Sequence, residues 1–266
     1  SVAVAAAVSV AGGGSVAVGA AGSGVEVTTT MGNSVSAILG AGTVTDLGTV
    51  TVTASDRADI DTVGVAASVS AAVGSSAGVA LGISVVKSTL DMTTAVLASI
   101  LAANLASPGT VAVTARSDTE IDTVVVAASI SIGGGSTVGV AAAGSVVLAD
   151  ATVGGTTSAN VTGSTITNGG IVRVNAYGTM DVSTVAVAAA IAGSFGGTGG
   201  VSVAVSVVTA DVSVENAVSA SIANSTITTG DLVEVKAQSV EGADRLNVDT
   251  IGVAASISVA VGGTFA

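Results

Sequence analysis

The feature that most constrains this chain is a strict internal repeat. The run TVGVAASVS at Thr62 returns as TVVVAASIS at Thr123, TVAVAAAIA at Thr184 and TIGVAASIS at Thr250, and a related run, SVAVAAAVS, stands at Ser1. Successive copies lie 61, 61, 61 and 66 residues apart. The five-residue excess falls in QSVEGADRLNVDT, where other copies read RSDTEIDT or SDRADIDT. The chain therefore divides into repeats 1–61, 62–122, 123–183 and 184–249 and a partial repeat 250–266. A repeat of this length is a supersecondary unit that cannot bury its own apolar face and needs stacked neighbours to do so.

Columns read down the repeat give the secondary structure. Gly48, Gly109, Gly170 and Asp231 occupy one position, followed by apolar columns at Val50, Val111, Val172 and Val233, then Val52, Val113, Val174 and Val235. The intervening residues vary and are mostly polar, such as Thr51, Ala112, Arg173 and Glu234. Alternation at period two marks a strand with one buried face. A second half-buried strand follows from the columns Val35/Val96/Thr157/Val218 and Leu39/Ile100/Val161/Ile222, and a single apolar column runs Val44/Leu105/Ile166/Ile227. Two further segments are apolar on both faces: VAVAAAV (Val2 to Val8) with its copies, and VSVAVSVV (Val201 to Val208), whose second face carries only Ser and Ala. A sheet with two apolar faces has to be covered on both sides.

Each repeat thus holds about four strand segments joined by turns rich in Gly, Ser, Asn and Asp. Composition agrees. Apolar residues make up 49% of the chain, yet there is no Trp, one Tyr and two Phe. The apolar mass is β-branched and small, which suits strands and a narrow interior. The expected fold is all-β, a β-solenoid with strict ladders of like residues. Two coils of about 30 residues, or three of about 20, would fit each repeat. Because the array stops inside a repeat and neither end carries a polar capping coil, the expectation is a window on a longer chain or a subunit that stacks end to end.

The stretch Ser202 to Ser239, SVAVSVVTADVSVENAVSASIANSTITTGDLVEVKAQS, resembles the repeats of very large bacterial surface proteins, the leukotoxin-type filamentous adhesins and related beta strand repeat-containing proteins. The family's N-S-T-V-T-A-G-G-D-V-T-V-x-A word stands here as NSTITTGDLVEVKA from Asn224 and GSTITNGGIVRVNA from Gly163. The resemblance covers essentially the whole chain. It implies secretion, great length, an extracellular or cell-surface location, and partners that are copies of the chain, neighbouring repeats of the same chain, or a glycan or cell surface. It brings no catalytic residues.

Chemistry-bearing residues are sparse. Eighteen acids oppose six bases, for a net charge of −12, and there is no basic patch to neutralise phosphates or to favour an acidic membrane surface. Without His or Cys the chain lacks the commonest general base, thiolate ligands and disulfides, and an enzyme is not expected. Acids recur at one repeat position: Asp56, Asp59 and Asp61; Asp118, Glu120 and Asp122; Glu241, Asp244 and Asp249. Among these, Asp59, Asp61, Asp118, Asp122, Asp244 and Asp249 are candidates for calcium on a solenoid edge, against the alternative of a solvated turn that keeps the fibre soluble. No other cofactor is implied. FGGTGG (Phe195 to Gly200) reads as a turn, since no Lys-Ser/Thr follows it. The row Thr49, Thr51, Thr53 is not maintained in later copies, and Asn160-Val-Thr162 and Asn224-Ser-Thr226 match a glycosylation pattern that a polar turn also explains. Two functions follow: a structural segment of an extracellular filament, or an adhesin module that binds a glycan, mineral or host surface.

Overall fold

The structure is a computed structural model and describes residues 1–45, 48–106, 109–168, 170–239 and 247–263. The described chain is all-β, without a helix. Its strands are β1 (Val2–Gly13), β2 (Val16–Leu39), β3 (Gly42–Thr45), β4 (Thr49–Gly74), β5 (Ala77–Leu101), β6 (Ala103–Ala106), β7 (Thr110–Gly135), β8 (Val138–Thr162), β9 (Thr165–Asn168), β10 (Val172–Gly196), β11 (Gly199–Ala223), β12 (Thr226–Thr229), β13 (Val233–Gln238) and β14 (Asn247–Gly262). They form three parallel sheets. Sheet A runs β1-β4-β7-β10, with β13 and β14 both pairing with β10; sheet B runs β2-β5-β8-β11; sheet C runs β3-β6-β9-β12.

The pairing register equals the sequence repeat. Val50 pairs with Val111 and Val111 with Val172, and the same offset of 61 holds in all three sheets. The offset changes once: Tyr177 pairs with Gln238, but Asp181 pairs with Asn247, so the inserted residues fall between β13 and β14. One repeat is therefore one coil, where the sequence pointed to two or three. Segments that read as separate strands are continuous. The segments at Val50 and Val63 are fused into the 26 residues of β4, and the tip segment and the column at Val96 into the 25 residues of β5. At the usual rise a strand of this length spans about 85 Å, and each coil is a flat loop of two long walls closed by the short sheet C.

The walls enclose a tapered interior. At the wide end three sheets meet around Val111, Val113, Ile100, Leu105, Val161, Ile166, Val172 and Val174, all fully or nearly fully buried. Here the columns Val50/Val111/Val172, Val96/Thr157 and Leu105/Ile166 face inward as the alternation requires. Toward the other end the interior narrows to Ala66, Ala127 and Ala188, then Ala72, Ala80, Ala141 and Ala192. Ser84 Oγ donates to Ser68 Oγ at 3.0 Å and lies 2.6 Å from the Ala128 carbonyl, and Ser129 Oγ and Ser145 Oγ are 3.0 Å apart. These bonds cross between the walls, so small hydroxyls serve as spacers where larger side chains do not fit.

At the tip the chain reverses through Ser75–Ser76 and its copies. The ladder continues through the turn: the amides of Thr137 and Val138 both donate to the Ser76 carbonyl at 3.0 Å. The walls are closest there. A Cβ on Gly135 would lie 2.5 Å from the Val138 carbonyl oxygen, and one on Gly139 would meet the backbone of Phe195. The Gly-rich words of the sequence mark this close approach. FGGTGG forms the tip turn between β10 and β11, as read. At the wide end, Ala102, Gly163 and Asn224 share one column of positive φ, at 53°, 62° and 53°. This left-handed step turns sheet B into sheet C, and Gly or Asn adopts it at least cost.

Candidate functional site

Parity decides where each acidic candidate points. Along β4 even-numbered residues face inward; along β7 odd-numbered residues do. Asp59 and Asp61, Asp118 and Asp122, and Asp249 therefore all stand on the outer face of sheet A. They form ladders along the axis: Asp59, Glu120, Asp181 and Asn247 are successive partners, and so are Asp61, Asp122, Ser183 and Asp249. Asp118 Oδ1 accepts from Thr179 Oγ1 at 2.7 Å, and Asn247 Nδ2 donates to Asp181 at 3.2 Å and to Asp249 at 3.1 Å. Glu241 and Asp244 lie outside the described residues. Among the described residues no three acidic side chains are grouped so as to hold a metal ion. The ladders spread their charges along the stacking axis of the coils.

Asp56 belongs elsewhere. It is on the inner parity, with Val50, Val52 and Ala54, and it is buried between the walls. Asn33 Nδ2, from sheet B, donates to Asp56 Oδ1 at 3.2 Å, while Asp56 Oδ2 has no partner. The equivalent positions in later coils are Ser117 and Gly178, and Asn216, in the column of Asn33, donates to the Gly178 carbonyl at 3.4 Å. A polar layer thus crosses the interior between the Met92 and Val96 layers. Counting parity from Val50 separates Asp56 from Asp59 and Asp61 in the sequence; grouping the three by proximity alone hides the distinction.

A shallow depression of about 610 Å³ lies at Gly154–Gly155 on sheet B, lined by Thr93, Thr94, Thr152, Thr156, Glu215 and Asn216 among others. Two successive glycines in β8 replace Thr93 and Thr94 of the coil before and Glu215 and Asn216 of the coil after, and the missing side chains make the hollow. The coils on either side do not repeat this pair of glycines.

The remaining outer face at the wide end is polar and varied. Arg173 Nε lies 3.2 Å from Glu234 Oε2, and Lys236 Nζ stands 5.8 Å from the Tyr177 ring centroid. On sheet B, Lys87 pairs with Glu26 at 3.0 Å. Thr51 and Thr53 point outward but continue into Ala112 and Thr114 and then Arg173 and Asn175, so no uniform threonine surface forms. Asn160 points outward and accepts from Ser221 Oγ at 2.9 Å; Asn224 occupies its left-handed turn.

The largest organised surface is apolar. In the tip half of sheet A the outward residues are Val63, Val65, Ala67, Val69, Ala71 and Val73 in β4, and Val124, Val126, Ala128, Ile130 and Ile132 in β7, with like residues in β1, β10 and β14. Even in the middle of the stack Ile130 is 36% exposed and Ile191 43% exposed. Sheet B repeats the pattern through Leu81, Ile83, Val138, Leu148, Val201, Val203 and Val205. No charged side chain occurs in residues 62–86, 123–149 or 184–210. No family model, curated protein or solved structure matches the chain.

Proposed function

We propose that this chain is a structural segment of an extracellular bacterial filament or surface fibre, assembled through stacked and laterally packed β-solenoid coils. The observation that carries the reading is the pair of apolar outer walls. Ladders of Val and Ile in strict 61-residue register stand exposed on both sheets of one half of the molecule. Monomeric proteins rarely expose contiguous apolar patches beyond a few hundred Å². Parallel stacking supports growth along the axis, because every coil offers the next an identical row of backbone donors and acceptors. The extracellular and bacterial parts of the reading rest on the family resemblance. Electron microscopy of the purified full chain tests the proposal. Unbranched β-rich fibres are expected; a compact monomer at all concentrations overturns it.

A further inference from the structure

Resting on the filament reading, we infer that a second copy of this chain covers the tip half of sheet A, face to face and with its strands antiparallel to those of the first. Three observations lead there.

The first is area. The patch from Val63 to Val73, continued across five strands, measures about 36 by 24 Å at ordinary strand rise and spacing. Pairing two such faces buries roughly 1,700 Å² in total, the size of a standard stable interface. The corresponding patch on sheet B is smaller, with four strands. The sheet A face is also chemically uniform: its outward residues are Val, Ile, Ala and Gly, with Phe195 at the edge. Flat β-branched ridges at period two are the surface that sheet-on-sheet packing uses.

The second is charge. The apolar patch ends at an acidic border: Asp59 and Asp61, Glu120 and Asp122, Asp181 and Asp249 are on the same outer face, immediately beyond Val63, Val124, Val185 and Ile251. Parallel pairing would set these carboxylate ladders against their own copies across a dry interface, where like charges repel strongly. Antiparallel pairing places each border beyond the partner's tip turn, in water. The taper of the coil favours the same arrangement, since two wedges stack evenly only when thick end lies beside thin end.

The third concerns the competing occupant, a lipid bilayer. Strands that face lipid are bordered by aromatic girdles at the interfaces. This chain has no Trp, one Tyr and two Phe. Tyr177 stands alone among the described residues at the polar side of the sheet A patch. A protein face satisfies the patch without such a border.

The full chain has no cysteine, so single cysteines report the pairing directly. Val124 and Ile132 lie at opposite ends of the patch on β7. A mixture of the Val124→Cys and Ile132→Cys chains should form a heterodimeric disulfide at least tenfold faster than either chain pairs with itself. In sedimentation, Val126→Lys/Ile130→Lys should reduce the mass of the laterally associated species at least twofold with an unchanged circular dichroism spectrum, while Thr53→Lys at the wide end leaves it alone. Equal self-pairing of Ile132→Cys, an unchanged mass in the double lysine variant, or a chain that floats with phosphatidylcholine vesicles and stays monomeric without them would each overturn the inference. Fibres one coil wide in both wild type and lysine variant would remove this pairing and leave the filament; dimers without fibres would do the reverse.

Discussion

The wide half and the tip half of each coil are built from the same strands and yet are inverses of each other. In the wide half of β4 the large apolar residues are even-numbered and inward: Val50, Val52 and Ile60. In the tip half they are odd-numbered and outward: Val63, Val65, Val69 and Val73, while Ala66, Ser68, Ser70 and Ala72 line the interior. The strand does not break between them; its pairing with β7 is continuous from Thr49 to Gly74. A one-residue change of hydrophobic phase ordinarily signals a bulge or a register slip. Here the copies in sheet A change phase at the same place, except that β7 keeps Val125 inward where its neighbours have Gly64 and Ala186, so the ladder is undisturbed and side-chain size is exchanged between the faces. The wide half closes around its own core. The tip half sends most of its large apolar residues outside, where they stand partly exposed, and keeps only a few, such as Val86, Val125 and Val147, in its interior.

If that contrast is right, truncation costs most at the wide end. Leu105 is fully buried at the junction of the three sheets. Leu105→Ala should cost about 4 kcal/mol, in the range for a core leucine whose surroundings cannot collapse. Val126→Ala, the loss of an outward tip residue, should cost well under about 1 kcal/mol in a dissociated chain. Urea titrations followed by circular dichroism measure both, and equal losses would erase the distinction between the halves.

At the tip the sensitive change is enlargement. Gly139→Val puts a branched side chain against the Phe195 backbone, where the two walls are closest. Overpacking of this kind should cost on the order of 3 kcal/mol. The same substitution at Gly144, which points outward with nothing near its Cβ, should change the urea midpoint little. A tolerant Gly139 would mean that the walls separate easily and that small residues are not what sets the taper.

Much of this was legible in the sequence, for a specific reason. Columns such as Val50/Val111/Val172 and Leu105/Ile166 record which residues stack, and the structure pairs them at the same offset. The two doubly apolar segments were also visible. What the columns do not record is where one strand ends. The stretch from Ala54 to Thr62 contains no Gly or Pro and only a change of phase, which reads as a boundary between strands although the backbone runs straight through. Coils of about 30 or 20 residues therefore looked natural, and strands of 24 to 26 residues did not suggest themselves. The acids show the same blind spot. Proximity in sequence joined Asp56 to Asp59 and Asp61, but parity places Asp56 inside against Asn33 and the other two outside. The hollow at Gly154–Gly155 was out of reach, because it arises from side chains missing in one coil beside those present in its neighbours.

The phase change itself offers a test of opposite sign. Thr62, Thr123 and Thr184 form a buried column at the boundary, and none of their hydroxyls has a hydrogen-bond partner. Replacing an unsatisfied buried hydroxyl by a methyl group of the same shape removes a desolvation cost of about 1 kcal/mol. Thr123→Val should therefore stabilise the chain by about that amount, read as a higher urea midpoint. A loss of stability would show that the column is bonded after all and that the boundary is held by hydrogen bonds.

The smallest effect is expected on the polar wall of the wide half. Arg173 and Glu234 are paired at 3.2 Å, with about two fifths of each side chain exposed. An ion pair in that setting loses to side-chain entropy and screening most of what it gains in attraction. Arg173→Ala should shift stability by less than about 0.5 kcal/mol, and the shift should vanish at high salt. Its larger consequence concerns the contrast between the halves. If the wide half is polar only to stay in water, Arg173→Ala leaves lateral association unchanged, whereas Val126→Lys/Ile130→Lys weakens it. Should both variants reduce the associated mass alike, the polar wall would belong to an interface as well, and the inverted tip would not be what brings coils together.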